Sequence, residues 1–278
     1  MKGRHGKQTE GSGVTGGQGE PGPVLYHYGP EDDHVGDLWL PEGSGPHPVA
    51  VVLHGGYWRA YFTRALMDEL CADLARRGWA AWNLEYRRVG AGGGWPATFR
   101  DVATGVDHLS LLAERYPLDL GRLVSVGHSA GGQLALWTAA RAGLPPGAPG
   151  AEPIVRPVGV VDLAGLADLR LAEQLEQGSH ASAELLGGTP QQHPDRYAVT
   201  SPAQRLPLGV PQGVVHGDAD VNVAPEISDA YATAARTAGD DVELVRVPGA
   251  DHFALIDPAG PGWAAALAQL DRVARSAT

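Results

Sequence analysis

Cysteine is nearly missing from this chain. Cys71 is the single one in 278 residues, so no disulfide can close within it. It lies beside Leu70 and Ala72, with Leu74 beyond, in a helical run, and a buried, inert thiol is expected. No run of residues is apolar for long enough to span a bilayer. The N-terminal segment also lacks the apolar stretch of a secretory signal. There is no G-x-x-x-x-G-K-[ST] loop, and no G-x-G-x-x-G that follows a strand and opens a helix, which leaves nucleotide phosphates without their usual cradle. Residues 90–94 are glycine-rich but read as a flexible exit loop. No H-E-x-x-H and no cysteine cluster suggests a metal, and no cofactor is expected. Positive charge is scarce: 21 Lys and Arg stand against 32 Asp and Glu, for a net charge of −11. That balance argues against nucleic acid or an acidic membrane surface as a partner. The expectation is a cytoplasmic protein acting on a small molecule, as a monomer or homodimer.

What is present is a core-forming composition, 43% hydrophobic, arranged in alternating segments. Residues 1–23 are glycine-rich with scattered charges and are expected to be a disordered tail without catalytic function. Residues 24–278 are expected to form one domain. Two early antiparallel strands, at 24–28 and 34–40, flank a turn at Pro30-Glu31-Asp32-Asp33. Val49-Ala50-Val51-Val52-Leu53 is apolar at every position, the mark of a strand covered on both faces. Helices are expected at 64–77, 98–116, 133–141, 226–237 and 262–275. Further strands are expected at 79–84, 120–126, 155–163, 213–217 and 242–247. Residues 164–207 are weakly patterned, with helical pieces at 167–174 and 181–186, and read as a small lid-like excursion. The alternation implies an α/β architecture with a mostly parallel sheet, helices on both faces and right-handed crossovers. Functional groups then belong at the carboxyl ends of the strands.

One stretch organises the rest. Gly127-His128-Ser129-Ala130-Gly131 fits G-x-S-x-G and sits where a β-rich run, 123–126, meets an Ala/Leu-rich helical run. A strand that turns at once into a helix strains its middle residue and pushes that side chain clear of the backbone. Gly127 and Gly131, lacking Cβ, let strand and helix approach closely. Ser129 is thereby the candidate nucleophile, and the Ala130 amide, at a helix N-terminus, is a candidate oxyanion donor.

A serine hydroxyl needs a base. His128 is adjacent, but its side chain should be directed away at such a turn. His252, in the turn-rich loop Val247-Pro248-Gly249-Ala250-Asp251-His252, is the candidate base. Asp162, Asp218, Asp220 and Asp251 are candidates for the acid that orients it. Asp220 is preferred, because it lies far enough into the loop after a strand end to reach across. Asp218 is the alternative and fits a turn former better, and Asp251 is too local to His252. His54 and His216, at strand ends, read as structural hydrogen bonders. The two glycines of His54-Gly55-Gly56-Tyr57-Trp58 let the backbone curl with its N–H groups inward, which nominates the amides of Gly56 and Tyr57 as further donors. Tyr57 and Trp58 could wall a pocket, and Arg59, Arg87 or Arg88 could meet a substrate carboxylate. Trp58 and Arg87 are the pocket residues carried forward.

These motifs together resemble the α/β-hydrolase superfamily. His54-Gly55-Gly56-Tyr57-Trp58 and Gly127-His128-Ser129-Ala130-Gly131-Gly132 look like the arylformamidase (kynurenine formamidase) and related carboxylesterase group. Lipase-type relatives usually carry a third glycine where Tyr57 stands. The resemblance implies an α/β-hydrolase fold and hydrolysis of N-formyl-kynurenine through Ser129, Asp220 and His252. A general small-ester hydrolase with the same machinery, and a silent ligand-binding version of the fold, are the other readings.

Overall fold

The unbroken apolar run at 49–53 is explained by two cores. In the computed structural model, which describes residues 22–275, Val49, Val51 and Leu53 face one hydrophobic core and Ala50 and Val52 the other. Successive strand side chains point to opposite faces, so a strand covered on both sides must be apolar throughout.

The chain opens with β1 (Val24–His27) and β2 (Val35–Trp39), which pair antiparallel. It continues through β3 (His47–Leu53), α1 (Asp68–Arg76), β4 (Ala80–Leu84), α2 (Ala97–Asp107) and α3 (Leu109–Leu112). Then come β5 (Leu118–His128), α4 (Ala130–Ala140) and β6 (Gly159–Leu163). An excursion holds α5 (Leu169–Gln174), α6 (Ala181–Leu186) and α7 (Pro194–Thr200). β7 (Gln212–Gly217), α8 (Pro225–Thr237), β8 (Val242–Val247) and α9 (Pro261–Arg275) close the chain. Among the described residues these strands form one eight-stranded sheet in the order β1-β2-β4-β3-β5-β6-β7-β8. From β4 through β8 every pairing is parallel. This is the α/β architecture with a mostly parallel sheet that the alternation implied, and it agrees with the α/β-hydrolase fold that the resemblance implied. Most of the tail, residues 1–21, lies outside the described residues.

Several boundaries differ from the sequence expectation for local reasons. The helix expected at 98–116 tightens at His108 and divides into α2 and α3. The Ser110 hydroxyl donates to the Asp107 carbonyl at 2.7 Å, and the Leu111 amide donates to the His108 carbonyl at 3.0 Å, three residues back rather than four. Residues 64–67 form a 3₁₀ turn before α1. The strand expected from residue 155 begins at Gly159, after Pro157, which has no N–H for a ladder. Cys71 is buried, and burial pushes its thiol well up. No helix among the described residues is long and apolar enough to cross a membrane.

α4 is buried at all eleven positions. Its Gln133 and Trp137 side chains donate to the Thr200 and Val199 carbonyls of α7, at 2.8 and 3.0 Å. The helix behind Ser129 is thus held between the sheet and the excursion.

Candidate active site

Ser129 stands between β5 and α4 at φ 57° and ψ −122°, a region that L-residues with a side chain seldom occupy. Its amide donates to the Leu163 carbonyl of β6 at 2.8 Å. The flanking glycines are required by contact. A Cβ on Gly127 would lie 2.0 Å from the Gly131 carbonyl oxygen, and one on Gly131 would lie 2.1 Å from that of Leu53. The elbow geometry read from the sequence is present.

His252 follows β8 and Asp220 follows β7. His252 Nδ1 lies 2.7 Å from Asp220 Oδ2. An ionised carboxylate only accepts, so Nδ1 carries the proton and Nε2 is left with its lone pair. The other oxygen, Oδ1, accepts from the amides of Asn222 and Val223 at 2.8 and 2.9 Å. Burial opposes the charge on Asp220. Hydrogen bonds from His216 and His252 outweigh it and hold the carboxyl well below the usual carboxylate range. Asp220 and His252 are buried.

His216 does more than the structural role expected of it. Its Nδ1 lies 2.7 Å from Ser228 Oγ, while Nε2 lies 3.2 Å from both the Val223 carbonyl and Asp220 Oδ2. It meets the same carboxylate oxygen as His252, and its spacing four residues before Asp220 was the signal in the sequence. His128, set aside as the base, packs beside His252 on the cavity wall that Ser129 shares. Its Nε2–H donates to the His252 carbonyl at 3.0 Å, and the two rings pack with centroids 4.4 Å apart. Burial, then the neighbouring His252, push its pKa down to about 3, so the ring stays neutral.

The loop after β3 curls as the glycines suggested, but they do different work. Gly56 sits at φ 117°, open to glycine alone at little cost. Gly55 is there for clearance: a Cβ would meet Ser129 Cβ at 2.9 Å. Tyr57 and Trp58 also take positive φ, 53° and 57°. Among the described residues, no protein group accepts a hydrogen bond from the amides of Gly56, Tyr57 or Ala130. His54 is buried beneath the loop, with Nδ1 2.8 Å from the Gly55 carbonyl and Nε2 2.8 Å from Glu85 Oε1.

Gly56, Tyr57, Ser129 and His252 share the wall of one cavity of about 160 Å³, with Phe62, Leu66, His128, Asn222 and Phe253. The structure does not bring Trp58 or Arg87 to that wall. Trp58 turns beneath the loop into the core, where its Nε1 donates to Gln133 Oε1 at 3.1 Å. Arg87 grips Asp101 with two contacts of 2.8 Å. The other arginines considered are also engaged: Arg59 with Glu184 at 2.5 Å and Arg88 with Asp33 at 2.8 Å. Asp162, weighed as an acid, is fully buried on β6 against Gly132 of α4, and it is Asp220 that His252 meets. Phe62, Leu66, Asn222 and Phe253 were not anticipated. No local pattern marks them, because three separate loops bring them together.

The sequence profile of the BD-FAE family matches residues 37–234, most of the chain and including Ser129 and Asp220. The chain belongs to the BD-FAE family. It is 26% identical over 264 residues to the esterase LipC of Mycobacterium tuberculosis, covering 90% of this chain and 64% of that protein. The chain thus spans less than two-thirds of that relative's length. Among solved structures, a truncated carbohydrate esterase from gut microbiota superposes with a TM-score of 0.77 at 21% identity, covering 92% of this chain and 99% of the other. The esterase Est2 of Thermogutta terrifontis, with propionate bound, superposes at 0.72 and 24% identity, covering 92% and 93%. These likenesses carry the α/β-hydrolase fold. They run to esterases and do not carry the narrower arylformamidase resemblance.

Proposed function

We propose that this BD-FAE family member is a serine esterase acting on a small, uncharged ester. His252 Nε2 takes the proton of the Ser129 hydroxyl as Oγ attacks the ester carbonyl carbon. The resulting oxyanion is held by the amides of Gly56, Tyr57 and Ala130, each such donor being worth about 10²–10³ in rate. The tetrahedral intermediate collapses, the C–O bond to the alcohol breaks, and His252 returns the proton to the leaving oxygen. Water then attacks the acyl-enzyme by the same route and frees the acid. Asp220 holds the ring in the tautomer with Nδ1 protonated and supports the imidazolium. The observation that carries this reading is His252, held 2.7 Å from Asp220, on a cavity wall shared with a strained Ser129.

The ester reading is favoured over the aryl formamide one on two grounds. N-formyl-kynurenine carries a carboxylate, yet Arg59, Arg87 and Arg88 are each paired with an acidic side chain. The curated relative and the solved neighbours are, by name, esterases. The test has two parts. Fluorophosphonate treatment followed by mass spectrometry should place the adduct on Ser129. A parallel assay should then give a far higher kcat/KM for p-nitrophenyl acetate or butyrate than for N-formyl-kynurenine. A formamide rate equal to or above the ester rates restores the formamidase reading, and an unlabelled Ser129 removes both.

A further inference from the structure

Tyr57 makes a contact that the chemistry above does not use. Its hydroxyl donates a hydrogen bond to the Asn222 carbonyl, 165 residues along the chain. Tyr57 lies on the loop after β3 and Asn222 on the loop after β7, and β5 and β6 stand between those strands in the sheet. The phenol therefore links the loop after β3 to the loop after β7 at the carboxyl edge of the sheet, and Tyr57 shares a cavity wall with Ser129. Tyr57 lines the cavity, and its ring packs against Gly178 of the excursion, closely enough that a Cβ there would fall 2.5 Å from the ring. The far end is stitched down as well. The Asn222 amide donates to Asp220 Oδ1 at 2.8 Å, and the Ala224 amide to Gln177 Oε1 at 2.9 Å.

Tyr57 thus stands where the cavity meets the excursion. Its backbone points the same way. Tyrosine is held at φ 53°, where glycine would sit with less strain, so the side chain has a use that offsets the conformation. Phe62 on Gly56, and Phe253 within 6.4 Å of Phe62, bound the same cavity with apolar rings. On the Tyr57 side, Gly178 presents no side chain.

We propose that the Tyr57 side chain is the size-limiting residue of this site. Its ring closes the space toward Gly178 and confines the bound part of the ester to a short group, with the hydrogen bond to Asn222 secondary to that bulk. The proposal rests on the reading that Ser129 opens an ester here. It is tested with two substrate series, p-nitrophenyl esters from acetate to octanoate and alkyl acetates from methyl to octyl. In Tyr57→Ala, the long-to-short ratio of kcat/KM should rise about tenfold or more in the series whose variable part lies in the cavity. Tyr57→Phe keeps the ring and should leave both ratios within about twofold of the parent protein. Parallel profiles for Tyr57→Ala and the parent in both series, with Ser129 still labelled by fluorophosphonate, overturn the proposal. Failure of the parent to label overturns the underlying esterase reading instead. Should Tyr57→Ala not fold, Tyr57→Leu serves, lacking the ring that packs against Gly178, with the same outcomes.

Discussion

Asp220 Oδ2 accepts from two imidazoles at once, lying 2.7 Å from His252 Nδ1 and 3.2 Å from His216 Nε2. An acid so placed fixes a tautomer by being an acceptor only. Asp220→Asn substitutes an amide that can present N–H to His252 and favour the wrong tautomer. The expected loss is about 10⁴ in kcat with the fold intact. Asp218→Asn should cost less than about twofold, since Asp218 is exposed and its Oδ1 accepts from the Gly249 amide at 2.6 Å. Steady-state kinetics of both variants decide the matter, and the reverse order of damage would move the acid to Asp218.

Ser129→Ala should abolish fluorophosphonate labelling and lower turnover by several orders of magnitude. It should leave the melting temperature near that of the parent, because alanine inherits the same strained φ. Ser129→Gly removes the strain, worth about 1–3 kcal/mol, and gives part of it back as backbone entropy. It should therefore melt above Ser129→Ala. A calorimetric scan of the pair settles this, and equal melting temperatures would mean that the elbow stores little strain.

Asp162 gives the fold a pH dependence of its own. Both carboxyl oxygens are buried without a hydrogen-bond partner. Burial pushes the pKa up to about 7, and the nearby Gly165 amide, outside hydrogen-bonding geometry, offsets this in part. The folded state holds this proton more tightly than the unfolded chain. Its contribution to stability is therefore complete below the ordinary carboxylate range and is lost as pH rises through about 7. Asp162→Asn should flatten the dependence. Urea midpoints at pH 5 and pH 8 measure it: the gap between them should shrink in the variant, and an unchanged gap would contradict the argument.

Gly131→Ala should destabilise by about 3 kcal/mol or more, since its Cβ would stand 2.1 Å from the backbone oxygen of Leu53. Backbone on both sides cannot yield as a flexible side chain does. Gly209→Ala is the comparison. Nothing lies within 4 Å of that Cβ, and only the positive φ of 72° opposes it, so about 1 kcal/mol is expected. Denaturant titration of the two variants should separate them clearly.

The sequence by itself determined the layers and the elbow. Both are local in origin: apolar runs without alternation need cover on two faces, and G-x-S-x-G at a strand–helix junction has few backbones open to it. The order of motifs then set which loops share one edge of a parallel sheet. Only the tertiary structure decided which carboxylate meets His252, that Trp58 belongs to the core, and that Arg59, Arg87 and Arg88 are already paired. It alone joined Phe62, Asn222 and Phe253 around Ser129. The direction of a side chain on a loop depends on what packs against it from distant segments. No periodicity in the chain encodes that, because the partners are set by the fold as a whole.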